Sequence, residues 1–305
     1  MFYKILNWSC ENIYLMNVSS FLKNSFFLSV FIGFSQLDIP VVAQTITLEK
    51  KWETPSTLKE PESVLYDHAN NVLYVSNINN PAAGKDGNGS IGRISLSGEV
   101  QNVEWVAGGM DSPKGLGLSK GLLYVADLTK VVVIDTKTGK VVNNIEVEDA
   151  GMLNDITVDA EGGVYVSDSD KKRIYKINNN AAEVWLEKDH FQKPNGLLAY
   201  QNKFYMIDMN AGIFYEVDKG TRSLRKIADG LVGGDGIIPF GKDFIISNWN
   251  GEINHVSANG QIKKLLDTKT EKVNAADIEY IPEQNLLLVP TFFANKVMAY
   301  EVKTK

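Results

Sequence analysis

NGLLAYQNKFYMID, residues 195–208, holds two short apolar runs around a polar Gln-Asn-Lys turn, opened by Asn-Gly and closed by Asp. Five other stretches share its pattern. They are ESVLYDHANNVLYVSN from Glu62, KGLGLSKGLLYVAD from Lys114, NDITVDAEGGVYVSD from Asn154, DGIIPFGKDFIISN from Asp235 and ADIEYIPEQNLLLVPT from Ala276. Their first residues lie 52, 40, 41, 40 and 41 positions apart, and a recurrence of about 40 residues with four short strands per unit marks propeller blades. The long first interval is accounted for by PAAGKDGNG, residues 81–89, read as a Gly-rich loop and a candidate lid.

Within each unit a third strand follows, such as KVVVIDT from Lys130 or KRIYKIN from Lys172. After a Gly or Asn turn comes a fourth, such as VVNNIEV, EVWLE, LRKIAD or IKKLLD. The last unit supplies only three strands before the chain stops. TITLEKKWE, residues 45–53, is free to provide the fourth, which would leave no open edge at the seam. The expected fold is therefore all-β: a six-bladed β-propeller with four-stranded antiparallel blades, its ring closed by an N-terminal strand in the last blade.

Composition agrees with a sheet protein. Tyr and Phe number 12 and 13 against 5 Trp, and Gly reaches 25. A net charge of −6 without blocks of one sign argues against nucleic acid or an anionic membrane surface as partner. The apolar run FFLSVFIGF, residues 26–34, is too short to span a bilayer but suits the core of a secretory signal peptide. With Val41 and Ala43 at the −3 and −1 positions, residues 1–43 read as a targeting segment and 44–305 as the mature propeller. Met16 is an alternative start that would leave a short leader region ending in Lys23, and a buried helix or uncleaved anchor is the competing reading. The expected destination is the periplasm or the outside of the cell. The single cysteine, Cys10, falls in this segment and is not preceded by a lipobox, so the mature chain has no thiol.

Repetition places the first residue of each unit at an equivalent point, the start of the innermost strand. Those residues are Glu62, Lys114, Asn154, Asn195, Asp235 and Ala276, with Asp155 and Asp277 one position later. Glu62, Asn154, Asn195 and Asp235 are oxygen donors of the kind a hard cation prefers. Asn and Asp before Gly are also common turn formers, so each is ambiguous alone. A second recurring position, Asn77, Asp127, Asp168, Asp208 and Asn248, is expected to cap turns at the opposite end of the blades. His68, His190 and His255 show no metal-binding interval, and no phosphate loop or nucleophile elbow is present.

Taken as a set, KEPESVLYD around Glu62, LNDITVDAEGGVYVSD around Asn154, KPNGLLAYQNKFYMID around Asn195 and GGDGIIPFGKDFIISN around Asp235 resemble the SMP-30/gluconolactonase family. That family is related to paraoxonases, squid-type phosphotriesterases and strictosidine synthases. The resemblance implies that Glu62, Asn195 and Asp235 bind a divalent cation, Ca²⁺ ahead of Zn²⁺, with Asn154 a further ligand or a substrate contact. It also implies that Asp235 activates water in a metal-dependent lactone or ester hydrolase. Lys114, Asp155 and Asp277 are the other expected substrate contacts, and either Asp could replace Asp235 as base, since a metal-bound carboxylate is a weak one. Sugar-lactone hydrolases of the family carry Arg two residues before the blade-three Asn; here that residue is Met152, which favours a less polar substrate. Two rivals stand beside this reading: a non-catalytic, metal-stabilised propeller that binds a ligand or protein, and a metal-independent carbon–carbon bond-forming enzyme.

Overall fold

The computed structural model describes residues 45–80 and 83–305. The targeting segment read at residues 1–43 lies outside the described residues, as do Gln44 and the first two residues of the 81–89 loop.

Short β-prone runs separated by turns cannot bury two faces alone, so they pack sheet against sheet. Six four-stranded antiparallel sheets result, five made from one sequence repeat each and the sixth from three strands of the last repeat plus an N-terminal strand. Pro61–Asp67, Pro113–Ser119, Leu153–Val158, Pro194–Tyr200, Gly234–Phe240 and the short Glu279–Ile281 are the innermost strands of blades 1 to 6. They surround the axis, each touching the inner strand of the next blade. No helix among the described residues is long and apolar enough to cross a membrane.

The apolar core is distributed around the ring as one cluster per blade interface. Tyr74, Ile91, Leu116, Val125 and Val132, for example, join blade 1 to blade 2. Between blades 3 and 4, Tyr165, Trp185 and Phe204 meet with ring centroids 4.6–5.1 Å apart. Because each cluster needs residues from two blades, no blade is stable without its neighbours.

The seam forms as expected. Ile46–Glu53 pairs antiparallel with Val297–Thr304 as the outermost strand of blade 6, from Ile46↔Thr304 to Glu53↔Met298, with one register shift between Lys50 and Trp52. Ion pairs run across it, Lys51 to Glu301 at 3.1 Å and Lys303 to Glu49. These are exposed and add little each; the paired backbone and the burial of Ile46 contribute more.

A chain beginning at Thr54 removes this strand and bares the edge of Val297–Thr304. Its melting temperature is expected to fall by about 10 °C or more, with association that grows with concentration. Thermal denaturation and light scattering against the chain from Gln44 check this, and equal stability would show the seam to be dispensable.

Candidate functional site

The heads of the inner strands of blades 1 to 5 depart from regular pairing at the same place. In blade 3, Leu153 pairs with Asp168 and Ile156 with Val166, so Asn154 and Asp155 together oppose Ser167. Blades 1, 2, 4 and 5 shift register at the corresponding point. This is a β-bulge, and it frees two consecutive residues from strict in–out alternation. The serine of the second strand satisfies the displaced backbone N–H. Ser63 N donates to Ser76 Oγ, Asp155 N to Ser167 Oγ and Gly236 N to Ser247 Oγ, at 2.8–2.9 Å.

The first bulge residues form the ring read from the repeat: Glu62, Lys114, Asn154, Asn195 and Asp235, all buried. In blade 6 the position is held by Ala276, which leaves a gap in the polar ring. Asn195 Nδ2 donates to Asp235 Oδ1 at 2.8 Å. Asn154 turns its amide nitrogen to Ser169 Oγ at 3.1 Å. Lys114 Nζ donates to Ser112 Oγ at 3.1 Å.

The second bulge residues lock neighbouring blades. In blades 2, 4 and 5 they are glycines, and a Cβ on Gly196 would fall 1.8 Å from the Asp235 carbonyl oxygen, so no other residue fits. In blade 3 it is Asp155, and in blade 6 the equivalent place ahead of the strand is held by Asp277; the carboxylates of both reach the next blade. Leu197 N donates to Asp155 Oδ2 at 2.6 Å, and Ser63 Oγ to Asp277 Oδ2 at 2.6 Å. Glu279, one turn of the pleat deeper, accepts from Tyr66 N at 3.1 Å and Tyr280 N at 2.8 Å. These carboxylates border a space of about 140 Å³ in the channel, floored by Ile156, Leu197 and Ile237.

So much negative charge in one low-dielectric place is costly, and protons are held tightly there. Burial, then Asp235, pushes Glu62 well above the usual carboxylate range, against the pull of Lys114. Burial, then Asp277, lifts Asp235 to about 8, while its hydrogen bond from Asn195 and the charges of Lys114 and Lys193 oppose. Burial and Asp277 also raise Asp155 well above its ordinary value. Burial lowers Lys114 despite Glu62, Asp127 and Asp235.

Two findings depart from the sequence reading. Asn77, Asp127, Asp168, Asp208 and Asn248 do not stand at the far end of the blades. Pairing of Asp127 with Pro113, Asp168 with Leu153 and Asp208 with Pro194 puts them at the same mouth as the ring. The reason is antiparallel geometry: a second strand ends where the first begins. There they organise loops, as when Asp168 accepts from Gly151 N and Met152 N at 2.8 and 3.0 Å. Second, the repeat does not mark Lys193, yet its charge acts on both Asp235 and Lys114. It stands two residues before Asn195, in the very KPN motif that located the ring.

The histidines lie elsewhere. His68 and His190 are exposed, and His255 pairs with Asp243 at 3.1 Å on an outer strand. Among the described residues no cluster of three or more His, Cys, Asp or Glu is arranged to hold a metal ion. Two buried acceptors of the ring, Glu62 Oε2 and Asn195 Oδ1, have no hydrogen-bond donor. An orphaned pair of oxygens beside Asp235 fits an oxygen-ligated cation. A larger groove of about 890 Å³ around Asp159, Trp185 and Lys219 lies at the other end of blades 3 and 4, with Lys219 and Asp159 paired at 2.9 Å.

Fold and ring define a six-bladed β-propeller with a polar, oxygen-rich channel mouth. No protein-family model and no curated protein matches the chain. Among solved structures, a protein of unknown function from Bacteroides thetaiotaomicron superposes with TM-score 0.62 at 14% identity, over 85% of this chain and 76% of that one. A streptogramin B lyase gives TM-score 0.61 at 10% identity, over 85% of this chain and 98% of that one. A catalytically inactive virginiamycin B lyase from Staphylococcus aureus, with quinupristin, gives 0.59 at 12%, over 85% and 99%. At these identities the likeness shows the fold alone.

Glu279 supplies a pH test of the channel's electrostatics. Burial raises it from 4.5 to about 7, outweighing its two backbone donors. The unfolded chain therefore loses this proton first, and stability falls as pH rises from about 4.5 to about 7, then levels. Urea denaturation should show Glu279→Gln losing less stability than wild type between about pH 5 and pH 7.5, by on the order of 1–2 kcal/mol given the channel's residual hydration. Parallel curves would mean that Glu279 titrates normally.

Proposed function

We propose that the channel mouth holds one divalent cation, Ca²⁺ ahead of Zn²⁺, and hydrolyses a small lactone or ester. The observation that carries this is the orphaned pair Glu62 Oε2 and Asn195 Oδ1, buried beside Asp235 with nothing to satisfy them. Glu62, Asn195 and Asp235 would hold the cation, with Asn154 as the fourth oxygen donor, in keeping with the SMP-30/gluconolactonase-like motifs that contain them. When bound, the cation polarises a carbonyl and stabilises the charge that develops on its oxygen.

The chain's own residues supply the rest. Asn195 fixes the Asp235 carboxylate through its amide hydrogen bond, and in this reading Asp235 takes a proton from the attacking water. That water's oxygen joins the acyl carbon, the acyl–oxygen bond breaks, and the proton passes to the leaving alkoxide. Lys114 and Lys193 act electrostatically on Asp235 and so present positive charge to the carboxylate product. Asp155 and Asp277 serve as blade ties in this reading, since both are engaged by the neighbouring blade. Met152 takes the place of a sugar-binding Arg and turns the site towards substrates with few hydroxyls. The apolar run of residues 26–34 supports placing this activity in the periplasm or outside the cell. The even charge distribution supports a small-molecule partner over nucleic acid.

Elemental analysis and calorimetry on the chain from Gln44 are expected to find about one Ca²⁺ per chain, lost in Glu62→Gln and in Asp235→Asn. Saturating Ca²⁺ should raise the melting temperature by several degrees, and chelation should abolish hydrolysis of γ-butyrolactone and phenyl acetate. Asp235→Asn should lower kcat/KM by about a hundredfold or more. No bound metal, with both variants folded normally, would overturn the metal site; bound metal without hydrolysis would leave a metal-stabilised binding propeller.

A further inference from the structure

The rim of the mouth is chemically two-sided. Over blades 1 to 3 it is charged and polar: Lys130 lies 3.7 Å from Asp111, and Lys171 pairs with Asp149. Over blades 4 to 6 apolar side chains gather beside Lys193. Met209 and Trp249 follow directly on the second strands of blades 4 and 5, and Phe292 and Phe293 form a tight turn after that of blade 6. Val232 lies just before Asp235, in the loop entering blade 5.

The loops that carry these side chains lie side by side along the rim. Gly233 N donates to Met209 O at 2.8 Å and Trp249 N to Gly233 O at 2.8 Å, which brings the three loops together. Trp249 meets Phe292 with ring centroids 4.8 Å apart, and Phe292 meets Phe293 edge-on at 4.7 Å. Phe293 and Val232 are the two most exposed large apolar side chains among the described residues, at 68% and 60%. Ordinary folding would bury such groups or replace them, and both lie on this rim.

This crescent of loops is held in place. Phe292 has φ +42, a left-handed conformation unfavourable for a bulky residue. It is kept there by the Trp249 contact on one side and by Asn295 Oδ1, which accepts from Glu60 N at 2.8 Å, on the other. Glu60 lies two residues before Glu62, and Met209 Sδ accepts from Asn195 Nδ2 at 3.7 Å. The apolar surface is thus continuous with the polar ring at both ends.

Resting on the hydrolase reading, we infer that the crescent of Met209, Val232, Trp249 and Phe293, backed by the buried Phe292, receives an alkyl or aryl arm of the substrate. The substrate class is then an amphipathic lactone or ester. Its carbonyl enters the polar ring, its arm lies across blades 4 to 6, and its more polar edge faces blades 1 to 3. Phe293 and Val232 are specificity residues: they touch the arm and not the reacting atoms. The arm gains by leaving water for a surface that is already assembled, so little ordering opposes the gain.

Hydrolytically inert lactams test this without requiring turnover. Binding of 5-hexylpyrrolidin-2-one and of pyrrolidin-2-one is followed by calorimetry and by Trp fluorescence, in the chain from Gln44 with Ca²⁺ present. The hexyl compound should bind about tenfold tighter or better. The double variant Val232→Asn, Phe293→Ser, altered only at exposed positions and checked for an unchanged melting temperature, should lose most of that preference while keeping its affinity for pyrrolidin-2-one. No preference in wild type, or the same preference in the variant, overturns the crescent. Arm-dependent binding without hydrolysis of any ester would uphold the crescent and remove the hydrolase. Hydrolysis with no arm preference would do the reverse.

Discussion

The bulge at the head of five of the six inner strands governs this molecule. A regular strand would send alternate side chains to the axis and away from it, giving one inward residue per blade at the mouth. The bulge releases two, and the structure uses them differently. Asn154 joins the ring, whereas Asp155, beside it, reaches across to Leu197 N of the next blade. Where a blade needs no such tie, the second residue is glycine, as at Gly196, whose missing Cβ lets Asp235 of the next blade approach. Close blade packing and a polar mouth are therefore the same feature.

This arrangement creates an electrostatic problem that proton binding and two lysines only partly relieve. Five carboxylates, Glu62, Asp155, Asp235, Asp277 and Glu279, share the channel, and all are raised above their ordinary range chiefly by burial. Asp155 and Asp277 accept hydrogen bonds from the neighbouring blade and are stabilised by them. Glu62 keeps an oxygen with no donor, and so does Asn195. The imbalance is concentrated where the ring opens, not where the blades are tied, which separates the site from the scaffold.

The repeat made blade number, strand order and seam readable, because a pattern recurring every 40 residues leaves few ways to close a ring. It also placed Glu62, Lys114, Asn154, Asn195 and Asp235 on one circle, since equivalent residues in equivalent blades must share a height. The pattern could not show which end of the blade Asp127 or Asp168 occupied; that follows only from pairing each second strand back against the first. Nor could it separate Asp155 and Asp277 from the ring, because their roles depend on contacts to another blade. Lys193, Trp249 and Phe293 escaped notice for a different reason. They sit in loops, where the repeat is broken and side-chain direction is set by local turns such as the one at Phe292.

The seam has a mechanical consequence. Thr45 and Lys305 exchange backbone hydrogen bonds at 2.9 and 3.0 Å, so both described ends of the chain leave from one point on the outer edge, away from the mouth. Tension applied between those ends would pull Ile46–Glu53 from Val297–Thr304 one pair at a time, like opening a zipper, instead of loading all the pairs together in shear. A ring that is closed against heat and solvent is, along that single line, the easiest part of the molecule to peel.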